Sequence, residues 1–315
     1  MLRLTECRRT ATHRIINPLL TVIGLTSCIA FLSRLDVVSY RSVGYMSGTH
    51  EKEGVVSQSN LRDNISLWRA RVRKRNIMID KDGVKDFGED NNLGRVWDYF
   101  FEDWQCPFAE RIGRPGDGGK WICDLGTIPK DSCIVYSVGL FDNDEFERSI
   151  HDLVPTCEIH SFDPTPGEID KFHMDDRLAA YGANFHHYGI SGHGRRINIE
   201  GVDVPTKYLA EAMAELGHTK IDILKLDIEF SEYDLIENVF CSLSDPKCKL
   251  VDNIDMLLVE MHFRTASEVV RTFQRLSEHG YGIFQKEPNP IGYPLAVEYA
   301  FVKVDRQDPR KSLNG

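Results

Sequence analysis

Five polar residues and a glycine stand at the ends of four apolar segments, and their types are those of a small-molecule site: Gly139, Asp163, Asp227, Glu229, Glu260 and His262. A glycine lets the backbone approach a ligand without a Cβ clash. Asp163 follows 24 residues later, the place where an acidic side chain accepts hydrogen bonds from ribose hydroxyls. Its other reading is an aspartate before proline that caps a turn. Asp227 and Glu229 lie two apart, as do Glu260 and His262, so each pair shares one face of a strand. Four such groups on one rim can hold the charged part of a cofactor, act as a general base, or bind a metal through two carboxylates and an imidazole. The plain alternative is strand-end capping.

The segments that must position these groups are Ile134–Gly139, Ile159–Asp163, Ile221–Glu229 and Met256–His262. Apolar runs bounded by turn residues and alternating with helical stretches describe an α/β fold, a parallel sheet with helices on both faces. Ligands in such sheets sit at the carboxyl ends of the strands. Helices are expected over Asp144–Leu153, Glu168–Tyr181, Thr206–Gly217, Ser231–Phe240 and Ser267–Gly280, and Asn184–Ile190 is a further candidate strand. Tyr281–Gln285 and Glu298–Val304 read as two closing strands joined by a Pro-rich loop. That reversed hairpin differs from the extra βαβ unit with which dinucleotide enzymes usually continue. The segment after the first strand reads G-L-F-D-N-D. It lacks the G-x-G-x-x-G fingerprint, which argues against NAD or FAD. S-adenosylmethionine, which has no pyrophosphate to cradle, stays open.

Upstream, Arg114–Cys123 (RPGDGGKWIC) holds Gly116, Gly118 and Gly119 around Asp117, a tight turn before a short strand. It reads either as a hairpin turn or, through Asp117 and Gly118, as a backbone-lined wall of the cofactor pocket. Val96, Trp97, Phe100, Phe101 and Trp104 recur at helical spacing and suit an amphipathic helix docked on the main domain. His186, His187 and His193 lie near the third strand's end and read as structural or exposed.

The chain has 315 residues, 42% of them hydrophobic and 27% charged, with a net charge of −10. That size suits one large domain with appendages. An acidic surface lacks the basic face that phosphate neutralisation requires, so no nucleic-acid partner is expected. Arg3, Arg8, Arg9 and Arg14 precede the apolar stretch Ile15–Leu32. This pattern reads as a signal-anchor with a cytoplasmic tail and a lumenal remainder, a single-pass type II membrane protein. Cleavage after Ala30 would instead give a secreted protein. On this reading residues 1–35 are tail and anchor, 36–95 a polar stalk, 96–305 the main domain and 306–315 a tail. The basic run Arg69–Arg75 reads as a solvated helix face in the stalk.

Six cysteines lie beyond the anchor, and an oxidising compartment permits three disulfides. Cys241 with Cys248 is the most natural local pair, and Cys106 with Cys123 and Cys133 with Cys157 are the next. There is no CxxC pair, so a zinc ribbon is not indicated. Asn64-Ile65-Ser66 is an N-glycosylation sequon in the proposed stalk.

The run Cys133–Glu147 (CIVYSVGLFDNDEFE), HSFDPT at 160–165, KLDIEFSEYDLIE at 225–237, LLVEMHF at 257–263 and GDGGKWIC at 116–123 together resemble the type 22 methyltransferase-domain families, relatives of the FkbM-type methyltransferases. The resemblance covers about residues 96–304. It implies a Rossmann-like methyltransferase fold, a mostly parallel seven-stranded sheet with a terminal antiparallel hairpin, and S-adenosylmethionine as cofactor. It places Gly139 and Asp163 on cofactor positions and Asp227 and Glu229 on a D-x-E motif. With the topology, it implies O-methyl transfer to a glycan or small hydroxylated acceptor, Glu229, Glu260 or His262 taking the proton. Two positions depart: Phe230 replaces the glycine of D-x-E-G-x-E, and Ser137 stands where the first strand usually carries an acid. These departures support the rival reading, an inactive methyltransferase-fold interaction module. A metal-dependent hydrolase using Asp227, Glu229, Glu260 and His262 is a third.

Overall fold

The structure, a computed structural model, describes residues 58–87, 94–116, 118–129, 131–165, 173–194, 196–199, 201–241 and 253–306. The four apolar segments cannot face water on either side, and the fold satisfies them by placing them centrally. Strands β3 (Ile134–Val138), β4 (Glu158–Phe162), β9 (Ile221–Leu226) and β10 (Ile254–His262) pair in parallel in the order β10-β9-β3-β4. All six residues of β9 are buried, as a strand covered on both faces requires. β5 (Asn184–His186) extends the sheet beyond β4, and the antiparallel pair β11 (Tyr281–Pro288) and β12 (Ala296–Lys303) closes the other side. The sheet therefore has seven strands in the order β11-β12-β10-β9-β3-β4-β5, mostly parallel with a terminal antiparallel hairpin.

A helix forms in each expected range, although Thr206 and Lys207 belong to a strand rather than to the helix expected over 206–217, and residues 168–172 lie outside the described residues. The helices are α2 (Glu145–Leu153), α3 (Met174–Ala179), α4 (Leu209–Leu216), α5 (Glu232–Val239) and α6 (Ala266–Glu278). In α6, Thr265 caps the first turn by accepting from the Glu268 backbone, and Val269, Val270, Phe273 and Leu276 face the core. The candidate strand over 184–190 is split. Asn184–His186 joins the main sheet, while β6 (Gly189–Ile190) pairs with β8 (Val202–Lys207), which also pairs with β7 (Arg196–Ile199). That small sheet was not expected, because Pro205 and the exposed charges of β7 and β8 obscure a strand signal. The glycine-rich segment is a hairpin turn, joining β1 (Ala109–Ile112) to β2 (Lys120–Cys123).

The stalk reading fails over 58–87. Helix α1 (Gln58–Lys81) lies against the main domain with Trp68, Arg75 and Ile79 buried. Asp103 explains the docking. Its carboxylate accepts from Arg75 Nη1 at 2.6 Å, Trp68 Nε1 at 3.1 Å and the Ile283 amide at 2.8 Å. Arg69 pairs with Asp305 and Arg71 donates to the Asp103 carbonyl. The basic run is thus partly a tertiary contact, which composition hides because arginine stems cover apolar surface while their heads find carboxylates. The aromatic stripe at 96–104 is helical only over 94–97. Val96, Trp97 and Phe100 are buried as expected, Phe101 is exposed, and the Asp103 and Trp104 amides donate to the Ile283 carbonyl.

Disulfides join Cys106 to Cys123 and Cys133 to Cys157. Cys241 is disulfide-bonded, and Cys248 lies outside the described residues. Asn64 is exposed on α1 rather than in a loop. The apolar stretch Ile15–Leu32 lies outside the described residues, and no described helix is long and apolar enough to cross a membrane.

Candidate functional site

The carboxyl ends of β3, β9 and β10 lie side by side, and the expected residues gather there in two clusters. The first surrounds Lys120. Its ammonium lies 2.5 Å from Glu298 Oε1 and 3.2 Å from Asp227 Oδ2, with 2% of the residue exposed. Glu260 faces Glu298 directly across β10 and β12. Oxygens of Asp227, Glu260 and Glu298 lie within 4.8 Å of one another. Three acids around one cation cannot all ionise freely. Burial would raise Asp227, but Lys120 and Lys225 outweigh it and hold the group at about 2. Burial, then the charges of Asp227 and Glu298, pushes Glu260 up to about 8. Burial also raises Glu298, and the two acids hold Lys120 protonated. Asn289 donates to Glu260 Oε1 at 2.5 Å and fixes its orientation.

The second cluster centres on His262. Its Nδ1 lies 3.0 Å from Glu232 Oε1, and its Nε2 lies 3.3 Å from Glu229 Oε2. Glu232 is fully buried, whereas the Glu229 side chain is 79% exposed. A buried carboxylate therefore orients the ring and an exposed one meets its outer nitrogen. Burial would lower His262, but the Glu232 hydrogen bond and neighbouring carboxylates raise it to about 9. The Phe230 ring packs on the imidazole with centroids 4.9 Å apart. Glu229 and Phe230 both hold positive φ, 48° and 72°, a conformation that favours glycine. Because β9 ends at Leu226, Asp227 and Glu229 do not share a strand face as the spacing suggests. The turn sends Asp227 to Lys120 and Glu229 to His262.

Gly139 and Asp163 build the loop after β3. Gly139 has φ +86°, and a Cβ there would overlap the Asp227 carbonyl oxygen. The glycine is thus required by the close approach of β3 to β9. Asp163 Oδ2 accepts from the Leu140 and Phe141 amides at 2.8 Å each, and Oδ1 accepts from the Thr165 amide at 2.9 Å. A carboxylate offers about four acceptor sites, so about one is left for a ribose hydroxyl. Both readings of Asp163 meet here, since it caps its own turn and ties down the neighbouring loop. Beneath it, Lys225 donates to the Gly139 carbonyl at 2.5 Å, and Ser137 donates to the buried Glu147 of α2. A carboxylate carried by the helix thus reaches the first-strand position that Ser137 leaves neutral. Gly118, with φ +90°, packs against Asn143 of the β3–α2 loop, so the hairpin borders the site. Asp117 lies outside the described residues.

Sequence reasoning missed Lys120, Glu232, Asn289 and Glu298. Glu298 could have been found by pairing the reversed hairpin against β10, which sets it opposite Glu260. His186, His187 and His193 stand elsewhere. His186 stacks on Phe162, His187 pairs with Asp175 and His193 with Asp234.

The strand order with its reversed hairpin, together with a rim of loop amides and carboxylates, defines the Rossmann-like S-adenosylmethionine-dependent methyltransferase class. Residues 65–303 match the sequence profile of the type 22 methyltransferase domain, and the chain belongs to that family. The profile includes most of α1, in keeping with its docking. The chain is 30% identical over 138 residues to the human protein described as probable methyltransferase-like protein 24, and 31% identical over 149 residues to the rat one. Each match covers 43% of this chain and 34% of the relative's length. Among solved structures, the Methanococcus jannaschii fibrillarin pre-rRNA processing protein aligns with a TM-score of 0.36 and 12% identity, over 56% of this chain and 68% of that one.

Proposed function

We propose that this chain transfers a methyl group to the oxygen of a glycan or small hydroxylated acceptor, with His262 as general base. The Glu232–His262–Glu229 line carries this reading. A buried acid that holds one ring nitrogen and leaves the other facing the rim is the arrangement that makes an imidazole an oriented base. When bound, S-adenosylmethionine supplies an electrophilic methyl group on a sulfonium centre. Its binding residues would be the 139–141 loop amides, Asp163 through its remaining acceptor site, and Asp227, whose ionised carboxylate suits an ammonium group. Gly118 and Asn143 would form one wall, with Asp117 next to Gly118 in sequence.

The protein's own work is positioning and proton handling. An acceptor hydroxyl that displaces Glu229 from His262 Nε2 gains a hydrogen-bond partner at the rim. Loss of the exposed Glu229 carboxylate would also lower the imidazole toward neutrality and free it to take the hydroxyl proton. Glu260, raised to about 8 beside this site, offers a second place for that proton. Phe230 walls the base on one side and suits a compact acceptor or the apolar face of a sugar ring.

The compartment belongs to the same proposal. Arg3, Arg8, Arg9 and Arg14 before Ile15–Leu32 and two described disulfides support a type II protein whose catalytic domain is lumenal, or a secreted one if cleaved. The test is transfer of isotopically labelled methyl from S-adenosylmethionine to panels of glycans, small hydroxylated compounds and RNA. Transfer to hydroxylated acceptors, lost in His262→Gln with cofactor binding kept, is the expected result. Full turnover by that variant, or labelling of RNA alone, would sink the proposal.

A further inference from the structure

Away from the rim, toward the amino ends of the strands, three side chains aim ligand atoms at one point. His160 Nε2 lies 2.8 Å from Glu158 Oε1, and His218 Nε2 lies 3.5 Å from the same oxygen. The three ligand atoms all fall within 4.8 Å of one another. In a tetrahedral zinc site with ligand bonds of about 2.1 Å, neighbouring donor atoms are about 3.4 Å apart. Two of the three separations bracket that value, so only small side-chain shifts would be needed to admit an ion.

The outer shell makes the same point independently. A ligating imidazole needs its second nitrogen held by a partner that fixes tautomer and ring orientation. His160 Nδ1 lies 2.9 Å from His186 Nε2, and His218 Nδ1 lies 2.8 Å from the Tyr136 hydroxyl. Both rings thus point their Nε2 atoms at Glu158 and anchor their Nδ1 atoms in the core. Two elements supply the three donors: Glu158 and His160 come from β4, and His218 from the turn between α4 and β9. The Cys133–Cys157 disulfide and the Glu158 amide bond to the Cys133 carbonyl at 2.8 Å fix the start of β4. Glu158 is half exposed, His218 mostly buried and His160 buried, so an ion has a route in and a position left for water.

From this geometry we propose that Glu158, His160 and His218 form a zinc site, with water as fourth ligand and with His186 and Tyr136 holding the imidazoles. Two imidazoles and a carboxylate are a donor set that zinc prefers over calcium or magnesium. The site ties the α4–β9 turn to β4, at the opposite end of the strands from the methyl-transfer rim.

The test is zinc binding by the full chain, stripped with chelator and titrated against a competing chromophoric chelator without reductant. Cobalt(II) substitution then reports geometry by visible absorption. The expected result is one zinc per chain, a tetrahedral cobalt spectrum, loss of binding in His218→Ala, and roughly 10-fold weaker binding in Tyr136→Phe, which leaves every donor in place. Asp227→Asn serves as a control for the carboxylate cluster at the rim and should bind as the parent does. Circular dichroism establishes that each variant is folded. Binding below one equivalent in the parent, equal binding in folded His218→Ala, or loss in Asp227→Asn alone would overturn the proposal.

Discussion

Lys120 Nζ lies 2.5 Å from Glu298 Oε1, a buried contact that joins the β1–β2 hairpin to the reversed end of the main sheet. The same ammonium reaches Asp227 at 3.2 Å, so one cation serves acids from β12 and from the turn after β9. Lys120→Met would leave buried carboxylates without their counter-charge, which costs about 3–5 kcal/mol. Denaturant unfolding at neutral pH measures this. The loss should shrink at mildly acidic pH, where the freed acids take up protons. A pH-independent loss would mean that packing, not charge, was removed.

The rate of methyl transfer should rise with pH. A base works when deprotonated, and His262 is raised to about 9 by Glu232 and its neighbours. kcat/KM should therefore climb through pH 8–9, and His262→Gln should lose roughly 10²–10⁴-fold with that climb abolished. The linkage to stability has the opposite sign. A raised histidine stabilises fully below its ordinary 6.5, and that contribution fades as pH rises through about 9. Fold must therefore be followed by circular dichroism over the same range. Rate falling above neutrality in a folded protein would remove His262 from the role of base.

Two glycines with the same backbone sign separate strain from collision. Gly139 has φ +86° and its Cβ would overlap the Asp227 carbonyl, while Gly182 has φ +81° with nothing within 4 Å. Gly182→Ala should cost only the left-handed penalty of about 1–2 kcal/mol. Gly139→Ala should cost clearly more, read from urea midpoints. Equal losses would mean that β3 and β9 can separate without penalty.

Most of the sheet was legible in the sequence, because strands buried on both faces are rich in apolar residues. β3, β4, β9 and β10 fall on the apolar segments bounded by turn residues, and the glycine or acid that follows β3, β4 and β9 is visible at the end of each run. The rim was legible in part for the same reason: Glu260 and His262 interrupt the apolar run of β10, and Asp227 follows that of β9. Their partners were hidden by distance. Lys120 is 178 residues from Glu298, and Glu232 looks like an ordinary first-turn acid of α5. Helix α1 was misread because its buried face rests on Trp68, Ile79 and an arginine, which no periodic apolar stripe announces.

A chain that begins at residue 96 tests the role of α1. Without Arg75 and Trp68, the buried Asp103 keeps only the Ile283 amide among its three described carboxylate contacts. Its thermal midpoint should fall by roughly 10 °C. An unchanged midpoint would return the helix to the status of a stalk.

Calorimetric titration of S-adenosylmethionine into the full, disulfide-intact chain tests the central claim most directly. A micromolar dissociation constant is expected, weakened at least ~10-fold in Asp163→Ala, where the Leu140 and Phe141 amides lose their anchor. No heat of binding in the folded parent protein, or undiminished affinity in the folded variant, would contradict it.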